Sequence, residues 1–163
     1  HGLVEEGLEQ AEEPWQRKAG QVMPNLVPVI EGLYSHMTGD STFNTAIGGS
    51  ASAAGRLFYA TAPRQTSFPF VTYEVMSNRD EIPMMSQASY SASVSFVIYE
   101  TLAAGPRACL DINDKLRARL DRQTFSITGA TMLAATLEVE RGPEDVDNAF
   151  FQRVDYLIRG FAS

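Results

Sequence analysis

Between Ser89 and Glu100 the chain alternates with a period of two. Tyr90, Ala92, Val94, Phe96 and Ile98 are separated by Ser91, Ser93, Ser95, Val97 and Tyr99. Successive side chains of a strand point to opposite faces, so this pattern predicts a strand with one buried side. Shorter runs predict strands at Arg56–Ala60 and Phe68–Ser77, where Pro69 is compatible only with a strand start or an edge. Two further strands follow at Thr131–Arg141 and Asn148–Gly160. The first sets Leu133, Ala135, Leu137 and Val139 on one side. The second turns Phe150, Val154, Tyr156 and Ile158 to the core, with Gln152 among them, and Arg153, Asp155 and Arg159 outwards.

Helical periodicity appears twice. Leu26, Val29 or Ile30, Leu33 and Met37 recur at 3.6-residue spacing in the segment from Pro24 to Met37. Gly39 closes that helix, and Asp40 or Ser41 caps a short second piece through Ile47. The stretch Gly48–Gly55, GGSASAAG, reads as a flexible loop. From Pro106 to Arg122, Cys109, Ile112, Leu116 and Leu120 form one apolar stripe, with Pro106 suited to the first turn. The other face carries Asp111, Asp114, Lys115, Arg117 and Asp121, spaced for Asp111–Lys115 and Arg117–Asp121 pairs. This helix is expected to lie on the sheet with Leu116 buried.

The element order is therefore α-β-β-β-α-β-β. It predicts an α+β fold: an antiparallel-rich mixed sheet of about five strands with helices packed on one face. With 163 residues the chain fits one domain, placed at 23–163 behind an N-terminal extension at 1–22. Met23 resembles a natural initiator. The preceding segment is acidic, with five glutamates against Arg17 and Lys18, and reads either as a tag remnant or as a docking arm.

Charge and rare residues narrow the function. The formal net charge is −7, which disfavours tight wrapping of nucleic acid, because phosphate binding needs clustered Lys and Arg. A lone Cys109 forms no internal disulfide and no Cys-rich zinc site, and two histidines are too few for most His-based metal centres. No apolar run approaches the roughly 20 residues of a membrane helix, and the acidic start lacks the basic region of a secretory signal. These features predict a soluble protein of a reducing compartment.

Catalytic motifs are missing from the sequence. There is no P-loop, no G-x-G-x-x-G, no H-E-x-x-H and no EF-hand loop. Gly48-Gly49-Ser50-Ala51-Ser52 lacks the final glycine of a nucleophile elbow. His36 is expected on the solvated side of its helix without a partner, and Cys109 as a buried, inert thiol. Glu144, Asp145 and Asp147 share one turn and could hold a divalent cation, although such loop carboxylates are usually only solvated. No cofactor is expected, and the protein reads as a non-enzyme.

Two features point to assembly. The connection Asn78–Ser89 sets charged shoulders, Arg79, Asp80 and Glu81, before an apolar tip of Ile82, Pro83, Met84 and Met85. Adaptable Met residues at a loop tip suit a partner contact. Long strands also leave edges that a neighbouring subunit can cover.

The order and its landmarks resemble the tail terminator, or tail-completion, proteins of long-tailed bacteriophages and gene transfer agents, which include head–tail joining proteins. The landmarks are Thr38-Gly39-Asp40 followed by Phe43 and Ile47, Arg56-Leu57-Phe58, Ala62-Pro63, and Phe68-Pro69-Phe70-Val71-Thr72-Tyr73. Val94-Ser95-Phe96-Val97-Ile98-Tyr99, the helix from Ala108 to Leu120 and the last two strands complete them, so the resemblance spans Leu26 to Phe161.

The resemblance implies a small subunit of a homo-oligomeric ring, typically a hexamer, at the head-proximal end of the virion tail, assembled in the host bacterial cytoplasm. Its implied partners are the tail tube protein and a head-completion or stopper protein. DNA passes through the lumen without specific binding, and no membrane is involved. Glu144, Asp145 and Asp147 are then candidates for a lumen or rim element. The acidic segment before Met23 and the RGPEDVDN turn depart from the family pattern, and no functional residue transfers by identity.

Two other classes are open from the residues alone. One is a small-molecule-binding α+β domain with a cleft beneath the Arg107–Gln123 helix, lined by Phe96, Ile98 and Tyr156. The other is a metal-dependent enzyme built on Glu144–Asp147.

Overall fold

A computed structural model describes residues 26–81, 89–127 and 130–162. The proposed extension at 1–22 lies outside them. Helix α1 (Leu26–Thr38) places Val29, Leu33 and Met37 fully inside, and tolerates Pro28 because first-turn N–H groups need no helical partner. Asp40 caps α2 (Ser41–Ala46), its side chain accepting from the Phe43 N–H at 3.3 Å. The strands are β1 (Leu57–Tyr59), β2 (Phe70–Glu81) and β3 (Ser89–Thr101). Helix α3 (Pro106–Leu120) follows, then β4 (Thr124–Ile127), β5 (Ala130–Glu140), β6 (Glu144–Val146) and β7 (Ala149–Ala162).

All seven strands form one sheet in the order β1-β2-β3-β7-β5-β4, with β6 pairing on β7. Only β1–β2 is parallel among the strand pairs. The fold is α+β with a mixed, antiparallel-rich sheet, as the alternation indicated. It holds seven strands rather than about five, because β4 and β6 are too short and too polar to show a period.

One sheet face carries the core. Val71, Tyr73 and Val75 of β2, Val94, Phe96 and Ile98 of β3, and Val154, Tyr156 and Ile158 of β7 pack beneath the helices. From α3, Cys109, Ile112, Leu116 and Leu120 descend onto them, and Leu116 is 0% exposed. Tyr73, Phe96 and Tyr156 follow one another at centroid separations of 5.9 and 6.0 Å.

Several expectations change. Val139 does not face the core with Leu137, because a bulge between them turns it outwards, where it is 46% exposed. The loop after α2 is anchored rather than free. The buried Asn44 donates from Nδ2 to the Ser50 and Ala53 carbonyls, both at 3.1 Å, and its Oδ1 accepts from Gly55 at 2.5 Å. A Cβ at Gly49 would sit 2.3 Å from Asn44 Nδ2, which explains a small residue there. Arg117 reaches Glu140 across to the sheet at 3.6 Å rather than serving only as partner to Asp121. Asp121 Oδ1 accepts from the Leu137 N–H at 3.2 Å.

Candidate assembly surfaces

The expected loop Asn78–Ser89 is mostly strand. β2 and β3 pair to their ends, with Arg79 opposite Ser91, Asp80 opposite Tyr90 and Glu81 opposite Ser89. Arg79, Asp80 and Glu81 are thus strand residues, not shoulders of a loop. The period-two rule hid this because charges occupy both faces there. Ile82, Met84 and Met85 lie outside the described residues, in a seven-residue connection at 82–88.

Glu144 and Asp145 fall on β6, opposite Phe151 and Phe150, and are exposed. Asp147 and Asn148 form the two-residue link to β7, with φ of 50° and 64°. Two consecutive positive φ values give the turn that matches strand twist, and Asp and Asn tolerate them best after Gly. The carboxylates of this hairpin spread outwards along its edge. Among the described residues no group of three or more His, Cys, Asp or Glu is placed to hold a metal ion.

Beneath α3 there is no cleft of the kind a ligand domain would need. Phe96, Ile98 and Tyr156, its expected lining, are each 0% exposed and packed under the helix. Cys109 is buried there, and desolvation, then the neighbouring Glu100 charge, push its thiol up to about 11. A thiol held protonated is a poor nucleophile.

His36 departs from its expected solvated position. Its ring stacks on Phe125 at 4.7 Å, and Nε2 donates to the Arg119 carbonyl at 2.9 Å. Desolvation lowers its pKa, and the Arg119 charge adds to this. Sequence periodicity missed the contact because β4, which supplies Phe125, had not been recognised.

The sheet face away from the helices has no described element over it, and its chemistry is graded. The β3 residues Ser93, Ser95, Val97 and Tyr99 run along it beside Leu157, Asp155, Arg153 and Phe151 of β7. In the middle, Arg153 and Asp155 pair at 3.1 Å. Towards the β1 corner it turns aromatic. Phe70 stacks on Tyr99 at 4.6 Å, with Phe68 at 5.3 Å and Phe58 at 6.4 Å from the Phe70 ring. These rings and the 60–66 connection border a groove of about 450 Å³. Arg56 fixes its rim, donating to the Pro69 and Phe68 carbonyls at 2.9 and 3.2 Å.

No protein-family model and no curated protein matches the sequence. Solved structures do share the fold. A chain from the virion of a native gene transfer agent particle superposes with a TM-score of 0.62 at 12% identity. That alignment covers 85% of this chain and 98% of the other. A second solved chain gives a TM-score of 0.57 at 11% identity, covering 85% of this chain and 96% of its own length. This chain therefore has the fold of a virion component over nearly its whole described length.

Proposed function

We propose that the protein is a structural subunit of a phage or gene-transfer-agent particle, acting at the head-proximal end of the tail as a terminator or head–tail joining protein. The observation that carries the reading is the fold shared with a gene-transfer-agent virion chain over 98% of that chain. The order of sequence landmarks from Leu26 to Phe161 supports the narrower tail-terminator assignment. In this reading copies close into a ring, probable partners being the tube and a head-completion protein, and DNA passes through the lumen. Closure requires a heterologous contact whose rotation returns on itself, since otherwise a filament grows.

The half-exposed aromatic corner of the uncovered sheet face favours assembly over a solitary life, because contiguous apolar patches on soluble domains mark interaction sites. The acidic balance suits a conduit: negative walls repel phosphate and leave DNA free to move. No catalytic step is assigned to any residue, and the role is mechanical.

The reading is tested by mass spectrometry of purified particles with gold labelling of the protein. The expected result is a low, fixed copy number per particle and label at the head–tail junction. Particles that lack the protein would refute it.

A further inference from the structure

The aromatic groove and the apolar loop tip lie at opposite ends of the same two strands. Phe70 pairs with Tyr99 at one end of the β2–β3 ladder, and Glu81 pairs with Ser89 at the other. The eleven steps between Phe70 and Glu81 span roughly 36 Å at about 3.3 Å per residue. The segment 82–88 leaves from Glu81 and returns at Ser89, so Met84 reaches only about 10 Å beyond the ladder even when extended. The tip of one chain therefore cannot fold back into that chain's own groove.

The groove's chemistry fits that tip. It is bordered by Ala62, Pro63, Phe68, Phe70 and Tyr99, with Phe68 39% exposed. The segment offers Ile82, Pro83, Met84 and Met85, unbranched thioethers that adapt to irregular apolar space and sit well at aromatic ring edges. A second cavity of about 300 Å³ shares Ala60, Thr72 and Tyr99 with the groove, and extends it towards Arg153 and Glu74. Four apolar residues at a tip and four clustered rings at a distant corner form the two halves of a heterologous contact.

We propose that the Ile82-Pro83-Met84-Met85 tip of one copy seats in the Phe68–Phe70–Tyr99 groove of the next copy. This rests on the reading of the protein as a self-assembling particle subunit, and it assigns the surface through which the copies join. Donor and acceptor sites differ, so each copy gives a tip and receives one, as a closing ring requires.

Cysteine cross-linking tests the contact on the full chain. Cys109 is buried with its thiol pushed up to about 11, so engineered thiols react over a quiet background. Thr61→Cys at the groove rim and Met85→Cys at the tip are combined in one chain and treated with a short bis-maleimide. The expected product is a ladder of covalent multimers. A mixture of the two single variants should stop mainly at dimers, and adding Phe68→Ser, at an exposed ring, should remove the ladder without changing thermal unfolding. An intrachain product overturns the proposal, and so does a ladder that survives Phe68→Ser. Multimers seen by light scattering without any 61–85 cross-link also overturn it, while leaving the particle reading intact. A protein that stays monomeric at its highest soluble concentration, and gives no ladder, overturns it as well. Failure of the particle reading shows separately, as absence of the protein from purified particles.

Discussion

His36 and Arg119 hold each other by backbone carbonyls: His36 Nε2 donates to the Arg119 oxygen at 2.9 Å, and Arg119 Nε donates to the His36 oxygen at 2.7 Å. This reciprocal pair joins the last turn of α1 to the last turn of α3, 83 residues apart, and Phe125 covers the imidazole. Both helix ends present carbonyls that helical bonding leaves over, so the pair satisfies two of them at once.

The pair makes stability depend on pH. Desolvation, with the Arg119 charge, lowers the folded pKa of His36 below its ordinary 6.5, only partly offset by the hydrogen bond to Arg119 and the Asp40 charge. A depressed folded pKa means that the unfolded chain takes up its proton first as pH falls. The His36 contribution is intact above 6.5 and is lost below it, through the folded pKa. Urea unfolding at about pH 7.5 and about pH 5.5 should show a loss of stability in the acid sample that His36→Gln largely removes. Equal acid losses in both proteins would contradict this role.

Gly32 carries the close approach of α1 to β4. A Cβ added there would lie 2.0 Å from Ile127 Cγ2 and 3.0 Å from Ile127 Cβ. Alanine normally improves a helix interior by about 1 kcal/mol over glycine. Here overpacking, typically about 1–3 kcal/mol, should win, so Gly32→Ala is expected to lower the urea midpoint. The pair Gly32→Ala with Ile127→Val should regain part of the loss. A midpoint raised by Gly32→Ala alone would mean that the contact is loose.

Two buried tyrosines should respond oppositely to loss of the hydroxyl. Tyr73 donates to the Ile30 carbonyl at 2.8 Å, tying β2 to α1. The Tyr156 hydroxyl, fully buried under α3, has no hydrogen-bond partner within the protein. Tyr73→Phe should cost about 1 kcal/mol, whereas Tyr156→Phe should be neutral or stabilising. Chemical unfolding of both variants checks the contrast, and equal losses would refute it.

Free subunits should bind duplex DNA weakly. Residues 23–163 hold fifteen acidic and eleven basic side chains. The arginine-rich end of α3 is partly engaged, Arg117 with Glu140 and Arg119 with the His36 carbonyl. Few phosphates can then be neutralised, and counterion release is small. An anisotropy titration at about 0.15 M salt should show no binding near the ~10⁻⁸ M of specific DNA binders. Tight binding there would turn the conduit into a nucleic-acid-binding protein.

Long periodic segments were legible in the sequence, and short irregular ones were not. β3 and α3 could be drawn from Tyr90–Ile98 and Cys109–Leu120 because each buries one face over at least three repeats. β6 offers only Glu144, Asp145 and Val146, all exposed, and owes its pairing to the Asp147–Asn148 turn. The bulge before Val139 breaks the register of an otherwise regular strand, and nothing in its composition marks the position. The aromatic groove was hidden for another reason. Phe58, Phe68, Phe70 and Tyr99 come from three separate segments, and they meet only because β1 pairs in parallel beside β2.

The central claim is a structural role where tail meets head, and electron microscopy of particles made without this protein tests it most directly. Deletion of its reading frame should leave filled heads apart from tails, or tube assemblies of uncontrolled length, with normal tailed particles restored by the intact gene supplied in trans. Normal tailed particles in the deletion strain would contradict the account.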